Sequence, residues 1–356
     1  MRYFSIILLF VLVSCVQDPT APQQSIYIDT ASEGAYILCE GVWGQGNSSL
    51  ARYDLEKDIF SPGYYQASNL GMTLGDLAND IVLYGDTAFI SITTSGVIEA
   101  IDIKDGRSMG RIKLPENSAP REISIVNDTI AVVSDLYLDV LHVFNPKSLE
   151  LMDKIINTGP APEAVVSNNE IIFTANSGYG FYRKDEPKAG TISVIDFSTE
   201  NEIILLENVK NAVELIINRE ANKLYCCYYH ITAGVDSIGG IVEYDLNTFD
   251  ELRRWEIDAL SITFSATRDS LFFVSDNDIY FIDLKSNKVP EVFIKNPKPS
   301  EIWYDIAISP FDNNIWVCNA KNHQINGEIM IFGFSRDGDL LRKFSTGVNP
   351  AKIVFF

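Results

Sequence analysis

The stretch YFIDLKSN (residues 280–287) runs from an apolar segment into an aspartate and then breaks into polar residues. The same ending recurs along the chain, in ARYDLEKD (51–58), EAIDIKDG (99–106), HVFNPKS (142–148), SVIDFSTE (193–200), VEYDLNTF (242–249) and MIFGFSRDG (330–338). The turn residue falls at Asp54, Asp102, Asn145, Asp196, Asp245, Asp283 and Gly333, with spacings of 48, 43, 51, 49, 38 and 50 residues. An Asp or Asn at a strand end caps the following turn with its own side chain, so the residue type needs no functional explanation. Length alone would suggest two domains. Seven copies at this period predict an all-β chain folded as a seven-bladed β-propeller instead.

Each copy also carries two earlier strands and one later one. PREISIV, DTIAVVSD, LDVLHVFN and LELMDKII make one such set, which gives four-stranded antiparallel blades. The first copy begins directly at its second strand, AYILCEG, while NPAKIVFF is left over at the C-terminus. The C-terminal strand is therefore expected to complete blade 1, close the ring and remove its exposed edges. The propeller is assigned to residues 34–356.

Before it, MRYFSIILLFVLVSC is too short in its apolar run to span a bilayer, which needs about 20 residues. Residues 1–14 read as a signal peptide, and Leu12-Val13-Ser14-Cys15 resembles a bacterial lipobox, with lipidation at Cys15. Residues 15–33 are polar and proline-bearing, as in a flexible tether. The protein is thus expected at the outer membrane of the cell envelope, touching the membrane through its lipid anchor alone. With 48 acidic against 28 basic residues, a net charge of −20 and no basic cluster, nucleic-acid binding is disfavoured. Cys39, Cys226, Cys227 and Cys318 lie in apolar runs without metal-ligand spacing and read as buried free thiols, a Cys39–Cys318 disulfide being the alternative.

The phrases Ala119-Pro120-Arg121-Glu122, Gly159-Pro160-Ala161-Pro162-Glu163, Thr174-Ala175-Asn176-Ser177-Gly178 and Val194-Ile195-Asp196 resemble those of the YncE-like (YVTN-type) seven-bladed propellers. The opening EGxWGxGNSSLxxYD is similar to the subset found as lipoproteins of Gram-negative bacteria. Cys39 stands where members of that subset usually carry Asn, and a literal YVTN is absent. For function, the resemblance implies capture of cobalamin or another corrinoid for a TonB-dependent transporter of the BtuB type. No cofactor is assigned.

Loop composition separates two faces. The first-to-second connections are short polar turns, such as GD at 85–86 and NN at 168–169, whereas the second-to-third and blade-to-blade connections are long and aromatic. Aromatic residues in such loops suggest a binding surface for a small-molecule ligand. Trp43, Tyr65, Tyr179, Tyr182, Tyr229, Trp303 and Tyr304 are the candidate apolar floor. Asn47, Asn79, Arg121, Asn176, His230, Asn319 and His323 are the polar candidates, with a salt bridge as the other reading of Arg121 and inter-blade packing as that of the aromatics. His142 sits mid-strand and reads as structural. GVWGQGN is no phosphate cradle, because no helix follows its glycines and no Lys accompanies them. Neither GxSxG, HExxH nor metal-ligand spacing occurs, so no catalytic or metal residue is assigned. A protein-interaction scaffold and a Ca²⁺-dependent lactonase-like enzyme remain the alternative classes.

Overall fold

A computed structural model describes residues 33–356 apart from 181, 231–237 and 287. The expected signal peptide, the tether and Cys15 lie outside the described residues.

The seven sheets each contain four antiparallel strands, in the arrangement expected. Blade 3 is representative, with strands Pro120–Asn127, Ile130–Asp135, Val140–Asn145 and Glu150–Asn157 running from the channel to the rim. Its middle strands are buried on both faces because a blade is sandwiched between two neighbours, and they read as nearly continuous apolar runs. The fourth strand, by contrast, is largely exposed and carries Glu150, Asp153 and Lys154. The core consequently lies between blades. Phe89 of blade 2 and Phe144 of blade 3 pack with ring centroids 5.6 Å apart, among Ile98, Leu114, Ile123 and Val133. Burying one such aromatic or branched side chain contributes about 1.5–3 kcal/mol.

The repeated aspartate does the local work assigned to it. Asp54, Asp102, Asp196, Asp245 and Asp283 each accept a turn N–H through Oδ1, from Lys57, Lys104, Ser198, Asn247 and Lys285 at 2.7–2.9 Å, and Asn145 accepts from Lys147 at 2.8 Å. At Gly333 no side chain exists to do so, and Ser335 N–H bonds the Gly333 carbonyl at 2.8 Å.

The ring closes on Pro350–Phe355, which pairs with Gly34–Cys39 from Ala35↔Phe355 to Cys39↔Pro350. Gly34 and Phe356 exchange both backbone hydrogen bonds, at 2.9 and 3.0 Å. The four described cysteines are free and buried, so the alternative disulfide is not formed. Cys39 Sγ lies 3.3 Å from Thr346 Oγ1.

Candidate functional site

The first strand of each blade lines the central channel, and its opening residues form two layers. The deeper layer holds Asp80, Glu122, Glu214, Ser261 and Asp305, with Lys352 supplied by the closing strand. Each acidic side chain stitches its blade to the next. Ile123 N–H donates to Asp80 Oδ2 at 2.9 Å, Val165 N–H to Glu122 Oε2 at 3.3 Å and Ile262 N–H to Glu214 Oε2 at 2.8 Å. Ser261 Oγ donates to Asp305 Oδ1 at 2.7 Å, and Asp305 accepts from the backbone of Ile353, which carries the series across the seam. Lys352 Nζ lies 3.5 Å from Glu214 Oε1. Burial disfavours its charge, but Glu214, Glu122, Asp80 and Asp305 more than offset this and hold it well above the ordinary lysine value. The same burial pushes all four carboxyls up, Glu214 to about 7.

One layer nearer the loop-rich face, Arg121 replaces Lys352 as the central cation. Its Nε donates to Glu163 Oε2 at 2.6 Å. Burial works against the guanidinium charge, while Glu163 and Glu40 raise its pKa above the usual value. Glu40 follows the second strand of blade 1 and receives Asn79 Nδ2 at 3.0 Å, Asn349 Nδ2 and the Tyr304 hydroxyl. Burial pushes the Glu40 carboxyl up to about 7, against the pull of Arg121 and Asn79. The charge of Glu40, together with burial, drives the Tyr304 phenol up. These groups enclose an open cavity of about 190 Å³ whose floor is Glu122, Glu214, Asp305 and Lys352.

At the rim, the loops of blades 3 and 4 meet in a tyrosine ledge. Tyr179 and Tyr182 stack with centroids 5.3 Å apart at 28°, and Tyr137 meets Tyr179 edge-on at 6.5 Å. The two loops are tied together by Arg183, whose Nη1 and Nη2 donate to Asp139 Oδ1 and Oδ2 at 2.7 and 2.6 Å. Tyr179 keeps φ at 52°, a left-handed backbone uncommon for a bulky residue, with its N–H on Ser177 Oγ at 3.0 Å. Ser177 and Gly178 N–H bond the Ala161 and Pro160 carbonyls at 3.1 Å each, which ties the ledge to the blade entry that carries Glu163; burial raises the Tyr179 phenol. Blade 1 contributes Trp43, 74% exposed, on a loop pinned by Gly44 and Gly46 N–H to Asp76 at 2.8 and 3.2 Å. Both glycines hold positive φ, at 76° and 59°.

Arg121, Asn79 and Tyr304 thus converge on the cavity, and His323 joins them indirectly. His323 Nδ1 is 2.6 Å from Asn349 Oδ1, and its ring meets Tyr304 edge-on at 5.1 Å. Asn47 closes its own loop by accepting Val42 N–H at 2.7 Å. Tyr229 and His230 sit against each other at 4.3 Å, with His230 Nδ1 2.7 Å from Asp258 Oδ2.

Four expected face residues are placed elsewhere. Tyr65 lies in the short helix Tyr64–Ser68, fully buried, with its hydroxyl donating to Glu99 Oε1 at 3.1 Å. Trp303 is 0% exposed, because register shifts on both sides of it turn its ring into the core with Phe332 and Phe272 while Tyr304 takes the channel side. Asn176 is buried, donating to Thr191 Oγ1 and Ser193 Oγ at 2.9 Å each. Asn319 is buried with Nδ2 on Glu301 Oε2 at 2.6 Å. His142 is buried as expected, with Nε2 2.9 Å from Asp135 Oδ2. Sequence reasoning missed Glu40, Glu163, Tyr137, Asn349 and Lys352 at the site. Glu163 alone left a trace, in the repeated Pro-Arg-Glu and Pro-Glu phrases at blade entries.

A family model described as a domain of unknown function, DUF5074, matches residues 33–341. The chain belongs to the DUF5074 family. No curated protein matches it in sequence. Among solved structures it is similar to a quinonprotein alcohol dehydrogenase-like protein from Bacteroides thetaiotaomicron, with TM-score 0.67 and 16% identity over 91% of this chain and 78% of that one. It is also similar to hydrazine synthase of Kuenenia stuttgartiensis, with TM-score 0.60 and 14% identity over 75% of this chain and 85% of that one. At these identities the likeness concerns the fold and leaves the chemistry open. Among the described residues of this DUF5074 chain, no three His, Cys, Asp or Glu side chains converge as metal ligands.

Proposed function

We propose that this DUF5074 propeller is a ligand-capture protein that binds at its loop-rich face, over the channel mouth. The observation that supports it is the pairing of an exposed tyrosine ledge with an open polar cavity on one face. The finer form of the proposal, supported by the YncE-like resemblance, is capture of cobalamin or a related corrinoid for a TonB-dependent transporter, by a lipoprotein held at the outer membrane through Cys15. A cavity of about 190 Å³ is too small for a whole ligand of that size, so the body of the ligand rests on the ledge and one arm enters.

Tryptophan fluorescence gives the test. Trp303, Trp316 and Trp255 are buried, so Trp43 is the exposed reporter. Titration with cyanocobalamin is expected to quench Trp43 emission, and Tyr182→Ala to weaken binding roughly thirtyfold, about 2 kcal/mol for an aromatic anchor. No response to any corrinoid, with retained binding of a transporter or other protein to the same face, would replace ligand capture by a protein-interaction role. Cys15→Ala is expected to move the protein from the membrane to the soluble fraction, and an unchanged distribution rejects the anchor.

A further inference from the structure

We infer that the channel mouth recognises a neutral carboxamide carried on a ring-bearing ligand, with Arg121 and Glu163 reading the amide and the tyrosine ledge holding the ring. The inference rests on the ligand-capture reading and specifies its chemistry.

The polar atoms at the mouth differ in how far they are engaged. Glu40 is saturated, with Asn79, Asn349 and Tyr304 all directed at it. Asn79 is used on both sides, giving Nδ2 to Glu40 and accepting the Thr93 hydroxyl on Oδ1. Arg121, however, is bonded through Nε alone, so among the described residues both terminal nitrogens keep their hydrogens for another acceptor. Glu163 uses Oε2 for Arg121 and, among the described residues, leaves Oε1 without a donor. Both side chains line the open cavity. One fork of donors and one acceptor therefore stand side by side, about one salt-bridge length apart.

That pair selects among functional groups. A carboxylate could accept from Arg121 but would meet the Glu163 carboxylate beside it. An ammonium could donate to Glu163 but would meet Arg121, with Lys352 on the cavity floor. A carboxamide satisfies both atoms, its C=O accepting from Arg121 and its N–H donating to Glu163 Oε1, and it brings no charge to be desolvated. The cavity volume suits such an arm, and the exposed face of Tyr182 offers stacking area for the ring that carries it.

Four fragments of one shape test this on the purified wild-type chain: benzamide, N,N-dimethylbenzamide, benzoate and benzylamine, with binding followed by ligand-observed NMR. Benzamide should bind best. The dimethyl compound, which lacks the N–H, should bind at least about tenfold more weakly, and the two charged fragments more weakly than benzamide. Arg121→Lys, which keeps the charge and removes the fork, should cost benzamide about tenfold. Glu163→Gln should shift preference from benzamide toward benzoate, an exchange that a merely structural role for Glu163 would not produce. Preference of the wild type for benzoate or benzylamine, or benzamide binding indifferent to methylation, overturns the inference, and this series decides even if a variant fails to fold. If no fragment binds while Trp43 still responds to cyanocobalamin, the carboxamide inference falls and ligand capture stands. If neither responds, both fall.

Discussion

Two cations stand one above the other in the channel, and their surroundings differ. Lys352 faces four carboxylates, of which Asp80, Glu122 and Glu214 accept a backbone N–H from the next blade and Asp305 accepts from the closing strand, so its layer is committed to holding the ring together. Arg121 is tied down at one nitrogen and faces an open cavity. The same residue chemistry, a buried cation among carboxylates, thus serves closure in one layer and leaves free donors for recognition in the next. The difference lies in how many polar atoms the fold itself consumes.

The largest expected effect breaks the lower layer. Lys352→Met removes the charge that compensates four buried carboxyls, and leaving buried charge unpaired typically costs about 3–5 kcal/mol. Urea unfolding at pH 8 should show that loss, and the deficit should shrink at pH 5, where the carboxyls take up protons. A variant as stable as wild type at pH 8 would mean that the carboxyls are already protonated and that Lys352 is dispensable. Arg121→Lys should cost far less, since the Arg121 side chain is 26% exposed at the open cavity and the variant keeps the charge.

A smaller effect comes from pH alone. Glu40 and Glu214 have folded-state values of about 7, above the roughly 4.3 expected when unfolded. Between those values the folded protein binds more protons than the unfolded chain, so stability must fall as pH rises through the window. Groups depressed by partners, such as Asp135 beside His142 and Glu301 beside Asn319, change protonation below it and lend their stability throughout. The urea midpoint should therefore be higher at pH 5 than at pH 8. A midpoint that rises across this range would show that neither carboxyl is held neutral by its burial.

What was legible in the sequence follows the same division. Ring and closure could be read because their determinants are local: an aspartate two or three residues from the N–H it caps, and NPAKIVFF with no partner strand of its own. The mouth was only partly legible because its pairs are distant, with Arg121 and Glu163 in adjacent blades and Glu40 meeting Asn349 across the seam. Tyr65 was misplaced because a five-residue helix is too short to show a helical period. Trp303 and Tyr304 are neighbours of similar character, and a bulge that no composition reveals decides which of them faces the channel.

The smallest effect isolates what the repeat signature itself contributes. Asp283 Oδ1 accepts Lys285 N–H at 2.9 Å in an exposed turn on the side away from the loop-rich face. Asp283→Ala leaves that donor to water, so the cost should be near 1 kcal/mol, the typical net value of one such hydrogen bond. Binding at the mouth should not change. The seventh copy manages with Gly333, and Gly333→Asp should recover little, because Ser335 N–H there already bonds the Gly333 carbonyl. Thermal melts of both variants decide. If Asp283→Ala costs as much as Lys352→Met, the aspartate is holding more than its own turn, and the separation between local caps and the channel's closing layer is wrong.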